Sequence, residues 1–91
     1  MAVPRLLFTK HAEDMLVERK IDRAWVVATI SDPESIEPDP ARPGVLRAFR
    51  RIPEHGNRFL RVAYVSTGDT MRVVTVFFDR KRRRQRAALE R

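Results

Sequence analysis

The chain holds two histidines, His11 and His55, one tyrosine, Tyr64, and 19 lysines and arginines, only three of them lysine. These residue types suit one reaction well. Cleavage of RNA through its 2′-hydroxyl needs a group to take that proton, a group to protonate the leaving oxygen, and cations for the charge that develops on phosphorus. His11, His55, Glu18 and Tyr64 could fill the first two roles, and Arg47, Arg50, Arg51, Arg61 and Arg80 the third. Plainer readings exist. His11 also reads as a helix-end residue bonded to a backbone carbonyl, and His55, beside Gly56, as an exposed loop residue.

The cations are unevenly placed. Residues 1–40 carry 5 cations and 8 anions, net −3, while residues 41–91 carry 14 cations and 4 anions, net +10, which together give +7. A positive field confined to one half favours a polyanionic partner, and arginine suits phosphate because its planar fork grips two oxygens at once. Arg47, Phe49 and Arg51 alternate with Leu46, Ala48, Arg50 and Ile52, so two cations and an aromatic share one strand face expected to meet solvent. That pattern fits contact with phosphates and stacked bases, and it equally fits an ordinary charged strand. Arg61 and Arg72 on neighbouring strands would extend the patch. In the run Arg80-Lys81-Arg82-Arg83-Arg84-Gln85-Arg86, six of seven residues are basic, which suits nucleic acid, an acidic protein or a solvated tail.

Other chemistries are excluded or weak. With no cysteine, the chain has no disulfide framework, thiolate metal site or cysteine nucleophile. Three glycines, at positions 44, 56 and 68, are too few and too scattered for a phosphate-cradling loop. Two distant histidines and dispersed carboxylates make a poor metal set, so no cofactor is expected. No apolar run approaches the roughly 20 residues of a membrane span, and the first ten residues lack the build of a secretory signal. A cytoplasmic protein without membrane contact is the expectation.

Positioning these groups falls to a small set of elements. Thr9 is a candidate N-cap for a helix over Lys10 to Arg19, whose buried stripe would be Ala12, Met15, Leu16 and the stem of Arg19. Asp22 would cap a second helix over Arg23 to Ser31, ended by Asp32-Pro33, with Val26, Val27 and Ile30 inward and Trp25 in the core. The linker Lys20-Ile21-Asp22 is short enough to force a helical hairpin or corner. A proline-rich stretch then leaves room only for a short edge strand near Ser35 to Glu37. Val45 to Ile52, Arg58 to Ser66 and Met71 to Phe78 read as three strands of an antiparallel meander. The last is apolar on both faces, which makes it central or covered on its second face by a tail or a partner, and a homodimer is one expected form of that pairing. The expected fold is thus α+β: two N-terminal helices on a three- to four-stranded antiparallel sheet, with residues 1–79 one domain and 80–91 a basic tail.

The string His11-Ala12-Glu13-Asp14-Met15-Leu16-Val17-Glu18-Arg19-Lys20-Ile21 resembles the opening of a small bacterial family of unknown function, close to H-A-x-x-R-M-x-E-R-G-I. Val26, Asp32-Pro33 and Val73-Val74-Thr75-Val76 fall where that family has a helical valine, an N/D-P step and a V-V-T-V strand. The family in turn looks like a relative of the RelE/ParE/BrnT toxin superfamily. The resemblance implies a ribonuclease-like or ribosome-directed toxin that meets RNA or the ribosome and is neutralised by an antitoxin protein. It marks His11, Glu18 and Arg19 as catalytic candidates, with His11 or Glu18 as base, and Thr75 as a polar landmark. Arg47, Arg50, Arg51, Arg61, Arg80, Lys81, Arg82, Arg83 and Arg84 would then contact nucleic acid. A non-catalytic nucleic-acid-binding module and a protein-interaction domain are the alternatives. Lys20 stands where the family pattern has glycine, and a left-handed backbone there would cost about 1 kcal/mol relative to glycine.

Overall fold

The computed structural model describes residues 5–79. Strand β1 (Arg5–Phe8) leads into helices α1 (Lys10–Glu18) and α2 (Arg23–Ser31); β2 (Ser35–Pro38), β3 (Leu46–Ile52), β4 (Arg58–Thr67) and β5 (Thr70–Asp79) follow. The five strands form one sheet in the order β1-β5-β4-β3-β2. Strands β2 to β5 pair antiparallel, as the meander and edge-strand readings expect, but β1 lies parallel to β5. The sheet is therefore five-stranded and mixed rather than three- to four-stranded and antiparallel. A four-residue strand next to a strong helix start offers too few alternations to be legible by period. The basic run 80–91 lies outside the described residues.

Both helices start and stop where local chemistry dictates. Thr9 accepts from the Ala12 N–H at 3.1 Å and Asp22 from the Ala24 N–H at 2.8 Å, each relieving an N–H that has no partner within its helix. Helix α1 closes with the Ile21 N–H on the Leu16 carbonyl at 2.9 Å and the Lys20 N–H on Val17 at 3.3 Å, and Lys20 takes φ +53°. This is the left-handed Schellman ending, with Leu16 and Ile21 both in the core. Arg19 is the cap residue and exposed, so its stem is not part of the buried stripe. Arg23 joins the helices by an ion pair with Glu13, and its guanidinium lies 4.5 Å from the Phe8 ring centroid.

One sheet face packs on the helices. Ala48, Ile52, Leu60, Val62, Tyr64, Val73 and Val76 meet Ala12, Leu16, Ile21, Val26 and Ile30 there. Burial of this order, at about 25 cal/mol per Å² of apolar surface, is what holds so short a chain together. A bulge explains why β5 reads as apolar throughout. Ala63 pairs with Thr75 but Tyr64 with Val73, so Val74 is an extra residue and Val73 and Val76, three apart, both face the helices. Thr9 serves the bulge as well as the helix: its N–H donates to Val73 O at 3.1 Å and its hydroxyl to Val74 O at 3.4 Å.

Candidate functional site

The second sheet face alternates arginine and phenylalanine. Register places Phe49 opposite Arg61 and Arg61 opposite Phe77, Arg51 opposite Phe59 and Phe59 opposite Asp79, and Glu37 beside Arg47 beside Ala63. Each ring meets a guanidinium on its own face: Arg47 to Phe49 at 5.7 Å, Arg51 to Phe59 at 5.6 Å and Arg61 to Phe77 at 3.8 Å. Arg47 and Phe49 thus share a face as the alternation requires. Phe49, however, is 1% exposed and Phe59 4%, so neither ring is open to a stacked base, contrary to the expectation of a solvent face. Arg47 also pairs with Glu37 at 2.8 Å. Arg50 projects to the other side, where it donates to the Asp32 carbonyl at 2.7 Å and its carboxylate at 3.2 Å.

Where β5 ends, the surface becomes concave. A cavity of about 700 Å³ is lined by Arg19, His55, Arg58, Arg61, Phe77, Phe78 and Asp79. Four elements deliver these groups. Arg19 comes from the cap of α1, His55 from the 3₁₀ turn Pro53–His55, Arg58 and Arg61 from β4, and the last three residues from the end of β5. The turn reverses through Gly56 at φ +64° and Asn57 at φ +58°, two successive left-handed residues that bring His55 back over the sheet.

His55 is half-buried rather than exposed as its turn position suggests. Its ring stacks on Phe78 with centroids 4.4 Å apart and planes 21° off parallel, and Trp25 flanks both rings at 5.4 and 6.0 Å. The Arg58 guanidinium lies 4.9 Å from the Phe78 centroid, and its Nη1 is 3.5 Å from His55 Nε2. Arginine can only donate, so the contact is favourable when Nε2 offers its lone pair and the ring proton is on Nδ1. On the other side of β5, Asp79 Oδ2 lies 3.6 Å from Arg61 Nη1. Burial lowers the pKa of the Arg61 guanidinium below its ordinary value, the Asp79 charge raises it again and Arg47 lowers it, and Arg61 stays a cation throughout.

The sequence-derived candidates separate. Arg19 and Arg61 line the cavity; His11 and Glu18 do not. The His11 Nε2 instead meets the Thr75 hydroxyl at 3.3 Å, and Glu18 is the exposed last residue of α1. Tyr64 is 3% exposed in the core, where burial pushes its phenol above the ordinary value, which removes it as a proton donor to a surface ligand. Arg58, Phe77, Phe78 and Asp79 are the lining residues that sequence reasoning missed. The signal was present in Phe77-Phe78-Asp79, an aromatic pair followed by an acid at a strand end, but only the register joins it to Arg61.

Two helices on one face of a five-stranded mixed sheet, with a cavity lined by three arginines, a histidine and an aspartate at the end of β5, define an α+β domain. The model of the domain of unknown function DUF4258 matches residues 8–78, and the chain belongs to that family. No curated protein and no solved structure matches it. Among the described residues, no helix is long and apolar enough to cross a membrane.

Proposed function

We propose that this domain is a toxin-like RNA-binding module that takes a single-stranded segment of RNA into the cavity at the end of β5. One observation carries the reading: Arg19, Arg58 and Arg61 surround one cavity with only Asp79 opposing them, beside an imidazole and two phenylalanine rings. Guanidinium groups hold phosphates, and aromatic and guanidinium planes take unstacked bases, which is how single strands are recognised. The likeness of the family to the RelE/ParE/BrnT superfamily favours an endoribonuclease or ribosome-directed role and an antitoxin partner.

The imidazole and guanidinium groups of the cavity also suit the chemistry of cleavage. His55 would accept the 2′-hydroxyl proton at Nε2, the nitrogen that faces Arg58 at 3.5 Å, once a bound phosphate draws Arg58 away, as the 2′-oxygen bonds to phosphorus. The bond to the 5′-oxygen breaks, that oxygen takes a proton from water, and the arginines stabilise the phosphorane-like charge. A cyclic phosphate and a 5′-hydroxyl end result. A second reading, binding without cleavage, draws support from the placement of His11 and Glu18 away from the cavity, which leaves His55 as its only imidazole. Induced expression in bacteria, followed by transcript mapping, tests the active form. Growth arrest with cleaved transcripts, lost in His55→Ala, is expected. Intact transcripts together with purified protein that fails to retard single-stranded RNA would overturn the RNA reading, whereas retardation without cleavage would leave the second.

A further inference from the structure

His11 and Thr75 form a polar pair outside the cavity. The His11 Nε2 lies 3.3 Å from the Thr75 hydroxyl, with His11 exposed and Thr75 half-buried. The two come from opposite sides of the sheet. Helix α1 packs on the face that carries Val73 and Val76, whereas Thr75 pairs with Ala63 on the other face, in one row with Phe77 and Asp79. They meet around the outer edge of β5, with which β1 pairs only as far as Val73. The bulge sets up this meeting. Strict alternation from Val73 would turn Thr75, Phe77 and Asp79 towards the helices; the extra residue Val74 turns all three to the other face, and the Thr9 hydroxyl holds its carbonyl at 3.4 Å.

The pair and the cavity mark the two ends of one stretch of that edge. From Thr75 to Asp79 the strand advances about 13 Å at 3.3–3.4 Å per residue, and from His11 to Arg19 the helix advances about 12 Å at 1.5 Å per residue. Because α1 packs against β5, His11 stands beside Thr75 while Arg19 shares the cavity with Phe77, Phe78 and Asp79. We infer that the His11–Thr75 pair is a ribose subsite: it contacts the 2′-hydroxyl of a nucleotide flanking the one in the cavity, and so favours RNA over DNA. A 2′-hydroxyl both donates and accepts, and it is the group by which a protein tells the two nucleic acids apart. A threonine hydroxyl has one proton and two lone pairs, and a neutral imidazole has one N–H and one lone pair. After bonding to each other, the two side chains still present a donor and an acceptor. Neither is a fixed cation, so the pair suits a hydroxyl better than a phosphate. The assignment rests on the cavity being an RNA site, as proposed above.

The test uses the full chain and single-stranded DNA octamers that carry one ribonucleotide at each position in turn, with affinity read by fluorescence anisotropy at fixed salt. An octamer whose ribonucleotide faces the pair should bind about fivefold tighter than the all-DNA octamer, the scale of one net hydrogen bond. Thr75→Val keeps the branched shape and should abolish that gain while leaving the all-DNA affinity within about twofold of the parent's. His11→Ala should abolish the gain too, and Thr75→Ser should retain it. Circular dichroism on each variant confirms that it is folded. Any cleavage should map to a ribonucleotide at a different position, the one whose 2′-hydroxyl meets His55; cleavage at the position that gives the gain would overturn the flanking assignment. A gain at no position, or one that survives in Thr75→Val, would overturn the ribose subsite and leave the cavity reading standing. An all-RNA octamer that does not bind would overturn the RNA reading and this inference with it.

Discussion

If Arg19, Arg58 and Arg61 hold phosphates, the salt dependence of RNA binding must report them. Each phosphate neutralised on a single strand contributes about −0.7 to the slope of log affinity against log salt. Three guanidiniums thus contribute about −2.1, and a rise from 50 to 200 mM salt costs the cavity's share of affinity about twentyfold. Arg61 already faces Asp79, so its contribution should be the smallest of the three. Arg58→Gln should make the slope shallower by about 0.7. Any contribution from other basic residues, such as the run 80–86, adds equally to parent and variant and cancels in the difference. Arg58 also stacks on Phe78, so the glutamine variant loses packing as well as charge. Arg58→Lys separates the two effects: it keeps the charge and should restore the slope even where absolute affinity stays below the parent's. Fluorescence anisotropy with a labelled single-stranded RNA at three salt concentrations supplies the measurement. Identical slopes for the parent, Arg58→Gln and Arg19→Gln would show that the cavity does not face phosphate, and the reasoning would fail.

Three further predictions concern the frame that holds the site. Lys20→Gly should stabilise the domain by up to about 1 kcal/mol in urea denaturation, because Lys20 adopts φ +53° at the end of α1 where glycine carries no side-chain penalty; no gain would mean that the greater freedom of glycine in the unfolded chain cancels the benefit. Thr9→Ala removes the cap on the Ala12 N–H and the hydroxyl contact to the bulge at Val74, and should cost about 1 kcal/mol; a midpoint unchanged in urea would refute the double role given to Thr9. The Asp39 carboxyl is held below its ordinary value mainly by the Ala41 N–H, with burial opposing and the Arg42 guanidinium and N–H assisting. Its contribution is therefore complete above the unfolded value of 3.8 and fades as pH falls through the lowered folded value, so Asp39→Asn should flatten the acid limb of a melting-temperature profile from about pH 6 to pH 2.

Much of this frame is legible in local sequence, because caps, turn residues and alternation act within a few positions. Thr9, Asp22 and Asp32-Pro33 mark the helices to within a residue, and the turns around Gly56 and Gly68 separate the meander strands. What stays hidden depends on register. The bulge at Val74 moves Val76 onto the helix side together with Val73, and no local signal announces it. His55 illustrates the same limit. Its turn chemistry says loop, and only the packing of Phe78 and Trp25, 23 and 30 positions away, turns that loop side chain into a cavity wall. The motif residues His11 and Glu18 lie on one short helix and Arg19 caps it, yet only Arg19 reaches the cavity. Proximity in sequence identified the helix and not the site.

The geometry of the cavity follows from two lengths. β1 pairs with β5 only from Thr70 to Val73 and then leaves it at the bulge, where Thr9 caps α1. From Thr9 to Arg19 the helix advances about 15 Å at 1.5 Å per residue. From Val74 to Asp79 the strand advances about 17 Å at 3.3–3.4 Å per residue. Helix α1 packs against β5, and the near-equal lengths bring its cap residue level with the strand's last residues, which is how Arg19 comes to share a cavity with Phe77, Phe78 and Asp79. A longer β1 would keep the second half of β5 paired and displace the helix from it. The short, easily overlooked first strand is thus what opens the end of β5, and the cationic cavity exists because β1 stops after four residues.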